Sequence, residues 1–200
     1  TPQTKGSIGH QVKLLRDQRI ILGIGVMVTL VAAEYTFYTY IRPIITDVLY
    51  FSTTDLNWLL GLVGVMFIIG NACAGIISSR YGIRKLPLIS GACLVLLLLM
   101  GVSFANSWTG VGLLCLICLV LGMPGSILQV MFLNVADKDY PAAINLASSL
   151  NPICTNVGVT VGSFLASLSV SFIAISQIGY VGAVLAVIST IGAVLLVRHD

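Results

Sequence analysis

The chain has 200 residues, 58% of them hydrophobic and only 8% charged, with a mean hydropathy of +1.04. So much apolar surface cannot be buried by a soluble domain of this size, which excludes a water-soluble globular protein and leaves an integral membrane protein. The net charge of +3 is small and its cations sit in loops, so no nucleic acid partner is needed to explain them.

In chain order, Thr1 to Gln18 reads as a polar cytoplasmic linker (1–18), followed by a transmembrane bundle (19–198). The first residues lack a signal-peptide pattern. With no initiating Met, the chain is expected to be a piece of a longer polypeptide. A helical span needs roughly 20 mostly apolar residues, and six stretches qualify, at about 20–45, 56–78, 87–106, 109–134, 142–169 and 177–197. These runs are apolar all round rather than alternating, which argues for helices over barrel strands. The expected fold is therefore an all-α integral membrane bundle of six transmembrane helices.

The first span carries Glu34, the one acid deep inside a membrane-length apolar run. An ionised carboxylate there costs at least a few kcal/mol, so such acids are paired, protonated on demand or turned toward a water-filled cavity. Tyr38 lies one helical turn on, on the same face. Arg42 is about 12 Å along the axis from Glu34, too far for a direct ion pair in an ideal helix. The second span offers Asn71, the fourth Gln129, and the fifth Asn145, Asn151 and Asn156. Taken singly, each of these amides could be helix glue; the collection of polar residues on spans one, four and five weakens that reading. Pro124 and Pro152 interrupt spans four and five and favour kinks. Gly158-x-x-x-Gly162 is a small-residue packing pattern.

All five cysteines fall inside predicted spans and read as small packing residues. Cys115 and Cys118 form a C-x-x-C without a histidine nearby, so no metal or cofactor is expected. The two histidines, His10 and His199, are terminal, so no intramembrane Ser-His pair can form and the chain is not expected to be an enzyme. The cations Lys5, Lys13, Arg16, Arg19, Arg80, Arg84, Lys85, Lys138 and Arg198 all lie on one side of an even-numbered topology, with Arg42 alone opposite. The positive-inside rule then places both termini in the cytoplasm.

Between spans two and three the chain reads Gly75-Ile-Ile-Ser-Ser79-Arg80-Tyr-Gly82-Ile-Arg84-Lys85. This resembles the cytoplasmic signature of the major facilitator superfamily, with Ser79 where the family prefers Asp. Tyr38-Thr39-Tyr40-Ile41-Arg42-Pro43 is similar to the seventh helix of the twelve-helix drug:proton antiporter and sugar or nucleoside efflux permeases. Ala147 to Asn151, with Asn156, Gly158 and Gly162, is similar to the eleventh, and Gln129, Leu133 and Ala136 fit the tenth.

The resemblance implies a C-terminal six-helix half of a major facilitator fold, built as two inverted three-helix repeats. Its partner would be the missing N-terminal half or a second copy of itself, in the cell's inner membrane. It implies export of a small organic solute, a drug, sugar or nucleoside, by proton antiport. Glu34 would couple protons or bind substrate, and Tyr38, Gln129, Asn151 and Asn156 would offer neutral hydrogen bonds. Gly75, Arg80, Gly82, Arg84 and Lys85 would form a gating motif at the cytoplasmic face. The competing expectation is a non-transporting membrane subunit or scaffold.

Overall fold

A computed structural model describes residues 8–199; residues 1–7 of the expected linker lie outside the described residues. The rest of that segment is not extended. It forms helix α1 (Ile8–Arg16), because Leu14 supplies an apolar anchor among the polar residues and is fully buried. The α1 helix packs on the start of the next helix and on the turn Pro141–Ala143.

The six long helices follow: α2 (Gln18–Tyr38), α3 (Thr53–Tyr81), α4 (Leu86–Ser103), α5 (Ser107–Asp139), α6 (Ile144–Ser169) and α7 (Gly179–His199). No strand occurs among the described residues. Five stretches are long and apolar enough to cross a membrane. One of them, Thr53–Ser103, is divided into α3 and α4 by the turn Gly82–Lys85. Gly82 makes that turn with φ of +56°, a conformation costly for any residue with a Cβ.

Side chains close three of the helix starts. Asp17 accepts from Arg19 N at 2.9 Å, Ser52 from Asp55 N at 3.2 Å and Asn106 from Trp108 N at 3.0 Å, each satisfying a backbone donor that the helix leaves free. The first span is shorter than expected, ending at Tyr38 rather than near 45. Thr39 turns its hydroxyl back to Tyr35 O at 2.6 Å, and after it come only a short helical turn, Ile41–Pro43, and a wider turn, Ile44–Val48.

Pairings across helices fix their directions. Arg19 at the start of α2 meets Asp139 at the end of α5, Thr39 meets Ser163 of α6, and Ser189 of α7 donates to Val26 O of α2. One end of the bundle therefore carries α1, the Gly82 turn and the C-terminus. The other carries the loops 39–52, 104–106 and 170–178. At this second end Phe51 and Trp58 flank Trp108, with ring centroids 5.3 and 6.5 Å away, the kind of aromatic belt found at a membrane interface.

Small residues set the closest approaches. A Cβ on Gly122 of α5 would lie 2.7 Å from Phe67 O of α3, and one on Gly158 of α6 would lie 2.9 Å from Val28 O of α2, so only glycine lets these backbones meet. The outward surfaces of α4 and α7 are apolar, with Leu88, Val95 and Val102 on one and Val184, Ile188 and Ile191 on the other all exposed. That is the reverse of a soluble protein and suits contact with lipid.

Candidate functional site

Among the described residues, Glu34 is the only charged one that is buried, 7% exposed on α2. It forms no ion pair among the described residues, and its environment is burial without a bonded partner. Its carboxyl instead borders two cavities. The larger, about 300 Å³, extends from Glu34 toward the α1 end and is walled by α2, α3, α5 and α6. The smaller, about 110 Å³, extends toward the opposite end. Glu34, Tyr35 and Phe67 line both.

The larger cavity owes its polar groups to three helices. Asn71 of α3 accepts from Ser126 Oγ of α5 at 2.8 Å and donates from Nδ2 to Phe67 O at 3.1 Å. Asn151 of α6 donates to Gly125 O of α5 at 3.0 Å and accepts from Thr155 Oγ1 at 3.3 Å. These bonds fix both amides, and each amide group keeps a donor or acceptor free for a guest. The two asparagines thus grip α5 at adjacent residues, just beyond Pro124, which also lines the cavity. A proline has no N–H to close the helix there. Met27, Leu30, Val31 and Leu121 supply apolar wall. A cavity of this size, mostly apolar with a few fixed polar groups and one acid, is a small-molecule site in character. Among the described residues no Lys, Arg or His lines either cavity.

Of the residues expected in the site, Glu34 and Asn151 meet in the larger cavity and Tyr38 lines the smaller. Gln129 and Asn156 line neither. The Gln129 carbonyl oxygen is buried without a hydrogen-bond partner among the described residues, and Asn156 is exposed on α6. Sequence reasoning left Asn71 without a role and passed over Ser126 and Thr155. The one available signal was Thr155, a helical turn beyond Asn151 on the same face.

In the loop after α3, Gly82 provides the turn, while Gly75 has open space around it. Arg80 and Arg84 are exposed and Lys85 lies over the Tyr81 ring at 5.3 Å. Ser79 donates to Ile76 O of its own helix at 2.9 Å. The ion pairs found among the described residues belong instead to Arg19, with Asp17 at 2.8 Å and Asp139 at 2.5 Å. The Tyr140 hydroxyl joins them, donating to Asp17 at 3.2 Å. The Arg19 guanidinium bonded to Asp17 holds that carboxyl below the usual carboxylate range. Charged pairing at this end of the bundle therefore ties α2 to α5 rather than engaging the loop arginines.

Comparison with known proteins finds a matching family and a similar curated protein. The family model described as Major Facilitator Superfamily matches residues 22–200. The uncharacterized MFS-type transporter YtbD of Bacillus subtilis (strain 168) is 26% identical over 197 residues, covering 96% of this chain and 48% of that protein. The chain thus spans about half the length of this curated relative.

Proposed function

The chain belongs to the major facilitator superfamily, and from that premise we propose that it forms one wall of a transport cavity through which a small organic solute leaves the cell in exchange for protons. The solute is of drug, sugar or nucleoside type, neutral or cationic. The observation that carries this reading is Glu34: a buried, unpaired acid between membrane-length helices, bordering a cavity of about 300 Å³ whose other polar groups are neutral. Such an acid is costly to keep ionised in a membrane. A proton or a bound solute each relieves that cost, which is how one group can link the two.

The reading extends to architecture. The six long helices act as two inverted repeats, α2–α4 and α5–α7, in one half of a twelve-helix transporter. The pairing pattern supports this: α2 packs on α6 and α7, while α5 packs on α3 and α4, so exchanging the two triplets preserves these neighbours. Both termini face the cytoplasm across the inner membrane, as the basic residues at the α1 end favour. Alternating access would then expose the larger cavity to each side in turn.

The driving force suffices. One proton entering down 100 mV supplies about 2.3 kcal/mol, enough to hold a neutral solute at a gradient of roughly fortyfold at about 1.4 kcal/mol per decade; a monovalent cation leaving in exchange moves no net charge and is driven by the pH difference instead.

Glu34→Gln tests the reading in the protein as its gene encodes it, with ethidium, a labelled sugar and a labelled nucleoside as trial solutes. The variant should lose proton-driven export yet keep solute counterflow, which requires no net proton movement. Retained proton-driven export would remove Glu34 from coupling.

A further inference from the structure

The two cavities at Glu34 are stacked along the bundle rather than side by side. The larger is lined on α2 by Met27 and Leu30 and on α5 by Gly125 and Ser126, which lie toward the α1 end. The smaller is lined by Tyr38 at the opposite end of α2, by Val63 and Gly64 nearer the start of α3, and by Cys118 nearer the start of α5. Size separates them as clearly as position. About 300 Å³ reaches the low end of the range for small-molecule sites, whereas 110 Å³ holds only about three or four waters at roughly 30 Å³ each.

We infer that the smaller cavity is a water-holding proton-entry chamber, so that protons reach Glu34 from the end of the bundle bearing residues 39–52 while solute reaches it from the other. The inference rests on the coupling role proposed for Glu34 and adds to it a separate route and the residues that form it. The chamber has the polar partners that water requires in the Glu34 carboxyl, Tyr35 and Tyr38, with the buried Cys118 beneath them. The titratable groups near Glu34 are Tyr35 and Tyr38 on its own helix, Cys118 on α5 and Cys93 on α4. None of them is a base that would intercept a proton on its way. A hydronium ion arriving along this water gives its proton to a Glu34 oxygen, where an O–H bond forms, and is left as water. Tyr38 accordingly belongs to the proton side and not to the solute contacts. Gly64 lines the chamber at its exposed edge, and a Cβ built there meets no atom within 4 Å, so a larger side chain can be placed at the chamber without displacing backbone.

The test uses the full protein with its native cysteines replaced by alanine and a single cysteine introduced in the chamber wall by Tyr38→Cys, in right-side-out and in inverted membrane vesicles. The probe is the impermeant quaternary cation methanethiosulfonate-ethyltrimethylammonium. Modification of that cysteine is expected in right-side-out vesicles, slowed by about tenfold or more by Gly64→Leu. Val63→Phe, which fills the same space from the neighbouring residue, replaces Gly64→Leu if that variant fails to insert. Absence of modification, modification only in inverted vesicles, or an equal rate in the filled variant would each overturn the chamber. Labelling of Glu34 by dicyclohexylcarbodiimide, which attacks the protonated carboxyl, reports on the underlying reading. Labelling that ignores the outer pH while the introduced cysteine behaves as expected would refute coupling at Glu34, and with it the chamber's proton role, while leaving a water-accessible cavity in place.

Discussion

Asn151 and Asn156 lie five positions apart on α6, which turns the second about 140° away from the first. Asn151 therefore shares a stripe with Thr155, Gly158 and Gly162 that meets α2 and α5, while Asn156 looks outward. A list of polar residues in apolar spans finds both and cannot separate them; helical phase separates them at once. Asn71 shows a different limit, because its role depends on Ser126, a residue distant in sequence, and no local pattern announces that pair. The proposed site makes a differential prediction. Asn71→Leu and Asn151→Leu should each raise the solute concentration for half-maximal counterflow by roughly two- to tenfold, the worth of one hydrogen bond at about 0.5–1.5 kcal/mol. Asn156→Leu should leave that concentration unchanged even if the amount of inserted protein falls. Equal effects at all three positions would dissolve the distinction between lining and outward-facing amides.

Helix identity followed from apolar run length, since each of the six long helices overlaps an expected span. Their ends did not, because ends are set by single contacts that hydropathy does not register. The apolar residues past Tyr38 hid the break that comes just before Pro43, which has no N–H to offer the Thr39 carbonyl, and the polar residues around Leu14 hid a helix. The tie between the start of α2 and the end of α5 was equally invisible, because Asp17, Arg19 and Asp139 look like scattered topology charges until folding gathers them. Asp17→Asn isolates its electrostatic part, since asparagine caps a helix start as well as aspartate does. With Asp17 held below its ordinary pKa, the charge contributes fully above the unfolded value and is lost as pH falls through the folded one. The pair is partly exposed, so the expected loss is roughly 0.5–1 kcal/mol at neutral pH. Thermal unfolding in detergent should show the variant less stable at neutral pH and the two proteins converging in acid. A difference that persists in acid would mean that the substitution acts through packing rather than charge.

At the scale of the whole molecule, the exposed faces disagree with one another, and the disagreement bears on how the protein assembles. On α4 and α7 they are apolar and suit lipid. On α6 they include a polar row, Asn145, Ser149, Asn156 and Thr160, at helical spacing. An amide facing hydrocarbon without a partner is unfavourable by an amount comparable to a lost hydrogen bond or more. That row is therefore expected to lie against protein, most directly a second six-helix wall closing the larger cavity beside Glu34. Residues 1–200 expressed alone should accordingly insert in the membrane, associate through the α6 face and fail to export solute, and co-expression with a matching N-terminal half should restore export. Cysteines placed at Asn156 and Thr160 should cross-link to that half when it is present and to a second copy of the chain when it is not. Export by a monodisperse monomer of the 200-residue chain would refute the half-transporter architecture, whereas export by a symmetric pair would mean that two copies of this chain build the cavity between them.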